Sequence, residues 1–189
     1  MKITPFLISV LMVGMLFAGA ASAAAEAPFH IGIMTGTLSQ SEDSLRGAEL
    51  MAQKYGDVGH GGMVAHVTYP DSFMAEMETT IGQIVGLADD PKMKVIVVNE
   101  AIPGTSEAFR RVREKRPDII LLAGTAQEDP AVITAAADLA IIPDDISRGY
   151  TIPLGAQRMG AKTFMHISFP RHMSYETLGR RRAIMEAAC

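Results

Sequence analysis

Val95-Ile96-Val97-Val98-Asn99-Glu100 is an unbroken apolar run ending on two polar residues, and Ile119-Ile120-Leu121-Leu122 is a second such run. A strand with one wet face alternates apolar and polar residues. A continuous run suits a strand buried on both faces, as in parallel sheets covered by helices. Working outward, His30–Met34, Val64–Tyr69, Leu139–Ile142 and Thr163–Ser168 are further strand candidates, so six strands are expected. Segments of helical period separate them. The fold class that follows is α/β, an open and mostly parallel (doubly wound, Rossmann-like) sheet with helices on both faces.

Helix boundaries are read from capping chemistry. Ser39 stands three residues before Glu42, a capping box that would start a helix whose Leu45, Ala48, Ala52 and Tyr55 share one face before Gly56. Ser72 would cap a second helix carrying Met74, Met77, Ile81, Ile84, Val85 and Ala88, with the methionines as core filler. A third spans Thr105 to Lys115, its basic end facing the negative C-terminal dipole before Pro117. Asp129-Pro130 reads as a cap followed by proline at the first helical position. A fifth, Asp145 to Met159, contains Gly149 and Pro153 and is expected to bend or break there.

The first 23 residues have the form of a signal peptide: Lys2, an apolar run from Phe6 to Phe17, then Ala21-Ser22-Ala23. The run is too short for the roughly 20 residues a membrane-crossing helix needs. Cleavage after Ala23 is expected, placing the mature protein in the periplasm or otherwise outside the cytoplasm. Only Lys2 is lost among charged residues, so residues 24–189 carry 16 basic and 21 acidic side chains, a formal charge of −5. That balance argues against nucleic-acid binding. Cys189, without a second cysteine, excludes an intrachain disulfide and a cysteine-based zinc site.

Polar residues follow each strand. After the first come Thr35, Gly36, Thr37 and Ser39, aimed at a helix N-terminus where exposed amides can hold a polar ligand group. Neither the Gly-Lys-Ser/Thr ending of a phosphate loop nor the three-glycine dinucleotide spacing is present. Asp71 follows the second strand, Asn99 and Glu100 the third, Thr125 and Glu128 the fourth, Asp144 the fifth, and Arg171 and His172 the sixth. In an open parallel sheet these loops share one edge, where such folds bind ligands. Helix capping and ordinary loop hydrogen bonds are the competing reading for each of them. No Gly-x-Ser-x-Gly elbow is present, and the five histidines lack metal-ligand spacing, so no catalytic residue, metal or cofactor is assigned.

The order of units resembles the N-terminal lobe of type I periplasmic solute-binding proteins. The stretch Asp145–Ser168 is similar to the segment that ends their first lobe and begins the second, and Arg180–Ala188 to the second lobe's first helix. The runs Gly36–Asp43, Gln83–Lys94 and His166–Glu176 resemble an uncharacterised bacterial family of this architecture. With residues 1–23 read as the signal peptide, the resemblance implies an N-terminal lobe with a crossover helix over 24–161 and the first strand and helix of a second lobe over 162–189. It also implies that the chain is truncated early in that lobe. The function implied is capture of a small polar solute for uptake or sensing, with a membrane transporter or sensor as partner and self-association through the incomplete lobe. A small hydrolase-like or flavodoxin-like enzyme working at the same sheet edge is the alternative.

Overall fold

The computed structural model describes residues 26–168 and 176–189. Five strands, β1 (His30–Thr35), β2 (Val64–Thr68), β3 (Met93–Asn99), β4 (Ile120–Gly124) and β5 (Leu139–Ala140), form one sheet. Its order is β2-β1-β3-β4-β5 and every pairing is parallel. The helices are α1 (Glu42–Tyr55), α2 (Met77–Leu87), α3 (Thr105–Lys115), α4 (Pro130–Ala136), α5 (Asp145–Arg158) and α6 (Glu176–Ala188). The expected α/β class is therefore observed.

The two faces of the sheet are covered unequally. On one, Met34, Ile96, Val98, Leu121 and Ala123 pack with Ile81 and Ile84 of α2, Phe109 and Val112 of α3, and Ile133 of α4. On the other, α1 lays Ala48 and Ala52 over Ile31, Ile33 and Val64 of the two strands it joins. Register places Val95, Ile120, Leu122 and Leu139 on this second face. There the cover runs out: Ile120 is 49% exposed, Leu139 53% and Ile141 61%. The continuous apolar runs thus mark strands that are apolar on both faces but sheltered on only one at β4 and β5.

Several expectations are corrected. Thr163–Ser168 forms no strand and is exposed, so the described residues hold five strands rather than six. An apolar run becomes a strand only when its backbone groups meet a ladder, and none of the five strands pairs with it. The first helix starts at Glu42 with Ser41 at the cap, not from a capping box on Ser39. Helix α2 starts at Met77 with Glu76 at its cap, later than Ser72 suggests. Helix α5 runs unbroken through Pro153; Pro153 is buried, and glycine at 149 lets the α6 backbone come so close that a Cβ would stand 2.5 Å from the Arg181 carbonyl oxygen. Packing against α6 offsets the single helical bond that proline removes. The expected boundaries of α3 and the Asp129-Pro130 start of α4 match.

Asp138 shows how an acid holds an edge of this sheet. Its carboxylate accepts from Arg113 (2.8 Å) and from the Leu121 amide (2.8 Å). The Arg113 hydrogen bond, then the Leu121 amide, hold its carboxyl below the ordinary range. Because the folded pKa is depressed, this contribution to stability is complete above the unfolded carboxylate value of about 4 and is lost as pH falls through the folded value. Asp138→Asn is expected to lower the urea midpoint at pH 7 and to leave a shallower loss of stability below about pH 4. Superimposable pH–stability curves for the two proteins would contradict this.

Candidate ligand site at the sheet edge

Parallel strands place all their C-terminal loops at one edge, here residues 36–41, 69–76, 100–104, 125–129 and 141–144. Thr37, Asn99, Glu128 and Asp144 accordingly lie on a single edge. Helix α1 leaves β1 toward one face, whereas α2, α3 and α4 pack on the other. The connections therefore diverge between the adjacent strands β1 and β3, and the crevice opened by such a divergence is where open α/β sheets bind ligands.

A polar cluster occupies that point. The Glu100 carboxylate accepts from Ser41 Oγ (2.5 Å) and Tyr69 Oη (2.9 Å), with Ser44 Oγ at 3.5 Å. Asn99 Nδ2 donates to Ser44 Oγ at 2.8 Å. Residues from β3, the first turn of α1 and the end of β2 are thereby tied together. Glycine at 124 makes room for this: a Cβ there would lie 2.5 Å from Asn99 Oδ1.

Backbone strain marks the same edge. Glu100 (φ 58°) and Thr125 (φ 47°) are the non-glycine residues with positive φ among those described, and they terminate the neighbouring strands β3 and β4. Such a conformation costs about 1–3 kcal/mol and persists only where surrounding structure enforces it. At Glu100 the enforcing bonds are visible: the Ala101 amide is held by the Gly124 carbonyl at 2.9 Å, and the side chain by three hydroxyls.

The expected site residues separate into groups. Thr37, Ser39 and Asp71 come together beside the cluster: Thr37 donates to Asp71 and contacts Ser39 (2.9 Å), and Gln40 Nε2 donates to the Asp71 carbonyl at 3.0 Å. Hydrogen bonds from Thr37 and then Ser39 hold the Asp71 carboxyl below its ordinary range. Gly36 sits close under Tyr69, whose hydroxyl would stand 2.8 Å from an added Cβ. Thr35 is buried, its hydroxyl within reach of the Gly36 carbonyl (2.9 Å) and His66 Nε2 (2.9 Å).

Two of the acids serve as caps. Glu128 accepts from the Gly104 and Ser106 amides at 2.6 and 3.0 Å, closing the N-terminus of α3. Asp144 accepts from the Ser147 amide at 3.0 Å and caps α5. Thr125 is exposed. Arg171 and His172 lie outside the described residues. Ser41, Ser44 and Tyr69 were not singled out as site residues; the Ser-x-x-Ser spacing at the start of α1, which puts both hydroxyls on one helix face, is the signal that could have found the first two.

Among the described residues no three His, Cys, Asp or Glu side chains are grouped to hold a metal ion, and no helix is long and apolar enough to cross a membrane.

A family model described as "Protein of unknown function (DUF3798)" matches residues 29–189. An uncharacterized protein of Treponema pallidum (strain Nichols) is 45% identical over 163 residues, 85% of this chain and 74% of the relative. A second from the same organism is 46% identical over 106 residues, 56% of this chain and 49% of the relative. Among solved structures, a Clostridium difficile 630 protein described as a proposed transcriptional regulator aligns with a TM-score of 0.67 at 26% identity, covering 85% of this chain and 47% of that one. An ABC transporter substrate-binding protein from Desulfitobacterium hafniense, in complex with Leu, gives a TM-score of 0.46 at 16% identity, covering 83% and 48%. The chain thus spans about half the length of the solved structures it matches.

Proposed function

The chain belongs to the DUF3798 family of proteins of unknown function, and from that premise we propose that it is a solute-binding protein whose sheet edge captures a small polar molecule for uptake or sensing. One observation carries the reading. Ser41, Ser44, Tyr69, Asn99 and Glu100 converge from three chain segments at the divergence between β1 and β3, with Glu100 held in a strained backbone conformation. Convergent polar groups at such a crevice fix the orientation of a ligand. Among the described residues nothing in the cluster has the form of an activated nucleophile: Ser41 and Ser44 face a carboxylate and a carboxamide, with no described histidine or lysine bonded to either hydroxyl. Binding without chemistry is therefore preferred to the hydrolase-like alternative. Export is the setting that the leader-like first 23 residues support, and a membrane transporter or sensor is the partner that solute capture for uptake or sensing calls for.

Native mass spectrometry on protein purified without refolding tests the reading. A discrete small-molecule adduct, lost on unfolding and diminished in Asn99→Ala, is the expected result. Adduct-free protein combined with turnover of a model ester or amide would overturn it in favour of the enzyme.

A further inference from the structure

We infer that the uncovered sheet face at β4 and β5 is an interface for a second copy of this chain, which lays its Thr163–Ser168 segment across it. Ile120, Leu139 and Ile141 share that face, each about half exposed or more, on strands whose other face is sealed by α3 and α4. An apolar patch of this kind ordinarily marks contact with another molecule. The chain itself carries a matching piece. Residues 161–168 are all exposed, and Met165 and Ile167 leave 80% and 84% of their surface in water. Standing two positions apart, these side chains share one face when the segment is extended, as Leu139 and Ile141 do. The charges are complementary as well. Residues 138–145 hold Asp138, Asp144 and Asp145 and no base, whereas residues 161–168 hold Lys162 and His166 and no acid. Asp138 and Asp145 are already engaged by arginines, but Asp144 is exposed and its partner Ser147 is neutral, so its charge is uncompensated.

The segment is tethered too far away to cover the face of its own copy. Helix α5 separates the two: it packs on α6 rather than on the sheet, and its 14 residues carry the chain about 21 Å. Residues 159–161 are then held at the end of α5 by amide bonds to the carbonyls of Gly155, Gln157 and Ala156. From Ala161 the extended chain reaches only about 14 Å by Met165, short of the return. A second copy has no such tether. Related by a two-fold axis, each copy gives its segment and receives its partner's, so both apolar surfaces close and assembly stops at a dimer.

Sedimentation velocity of the whole chain across a range of protein concentrations is the test, with Ile141→Glu altering the face and Ile167→Glu altering the segment. Each substitution is expected to weaken dimerisation by about tenfold or more, because a carboxylate must be desolvated against apolar side chains. Val132→Glu, exposed on α4 at the other side of the sheet, is expected to leave it unchanged. An equimolar mixture of Ile141→Glu and Ile167→Glu is expected to dimerise more tightly than either variant alone, since one intact segment still meets one intact face. Should either variant fail to fold, Ile120→Glu replaces the first and Met165→Glu the second. A monomer at every concentration, association that runs on past a dimer, a dimer weakened by only one of the two substitutions, or a mixture no tighter than its components would each overturn the inference. No solute is added, so the outcome is independent of the capture reading above.

Discussion

Phe109→Ala is expected to lower the stability of the chain by about 3–5 kcal/mol. Phe109 is fully buried on the inner face of α3, within the cluster that includes Ile81, Ile96, Val98 and Leu121. Truncation removes the ring's transfer free energy and leaves a cavity that helices fixed at both ends by short loops cannot close. Against a total of about 5–15 kcal/mol for an ordinary domain, that is about a fifth of the margin or more. Urea unfolding followed by far-ultraviolet circular dichroism is the measurement. The midpoint should fall sharply with an unchanged slope, and a loss below about 1 kcal/mol would show that α3 does not seal the sheet as described.

Gly62→Val is expected to cost about 3 kcal/mol, at the upper end for forced overpacking. A Cβ at residue 62 would stand 2.1 Å from the Gly56 carbonyl carbon and 2.4 Å from its Cα, so the obstacle is backbone rather than a side chain that could turn away. The clash falls on the carbonyl that accepts from Met63 and Val64, both at 2.9 Å, bonds that lock the end of α1 to the start of β2. Gly47 supplies the internal control. It lies on the exposed side of α1 with nothing within 4 Å of an added Cβ, so Gly47→Ala should raise stability by about 0.5–1 kcal/mol through helix propensity alone. Equal effects at the two positions would mean that the close approach of residues 56 and 62 is not present in solution.

The site was half legible before the fold. Asn99 and Glu100 stand out because they end a wholly apolar strand, and Thr37, Ser39 and Asp71 because they follow strand candidates. What they do there was not legible. Glu128 and Asp71 follow strands in the same way, yet the first is consumed in capping α3 while the second joins the cluster beside β1. The partners that give Glu100 its role, Ser41 and Tyr69, lie 59 and 31 residues away in the chain. No local pattern encodes that meeting.

The sequence by itself determined the α/β class, the cores of β1 to β4, the limits of α3 and the start of α4. These depend on periodicity, capping and proline geometry within a few residues, where chain entropy leaves little alternative. Only the tertiary structure decided that Thr163–Ser168 joins no ladder, that α5 passes through Pro153, and that β4 and β5 keep an apolar face uncovered. It alone brought Ser41, Ser44, Tyr69 and Asn99 around Glu100. The reason is physical: hydrophobic period tells a segment which of its faces is apolar, but whether that face finds a partner, and which polar ends meet at an edge, is set by strand order and crossover direction, and these are properties of the whole chain.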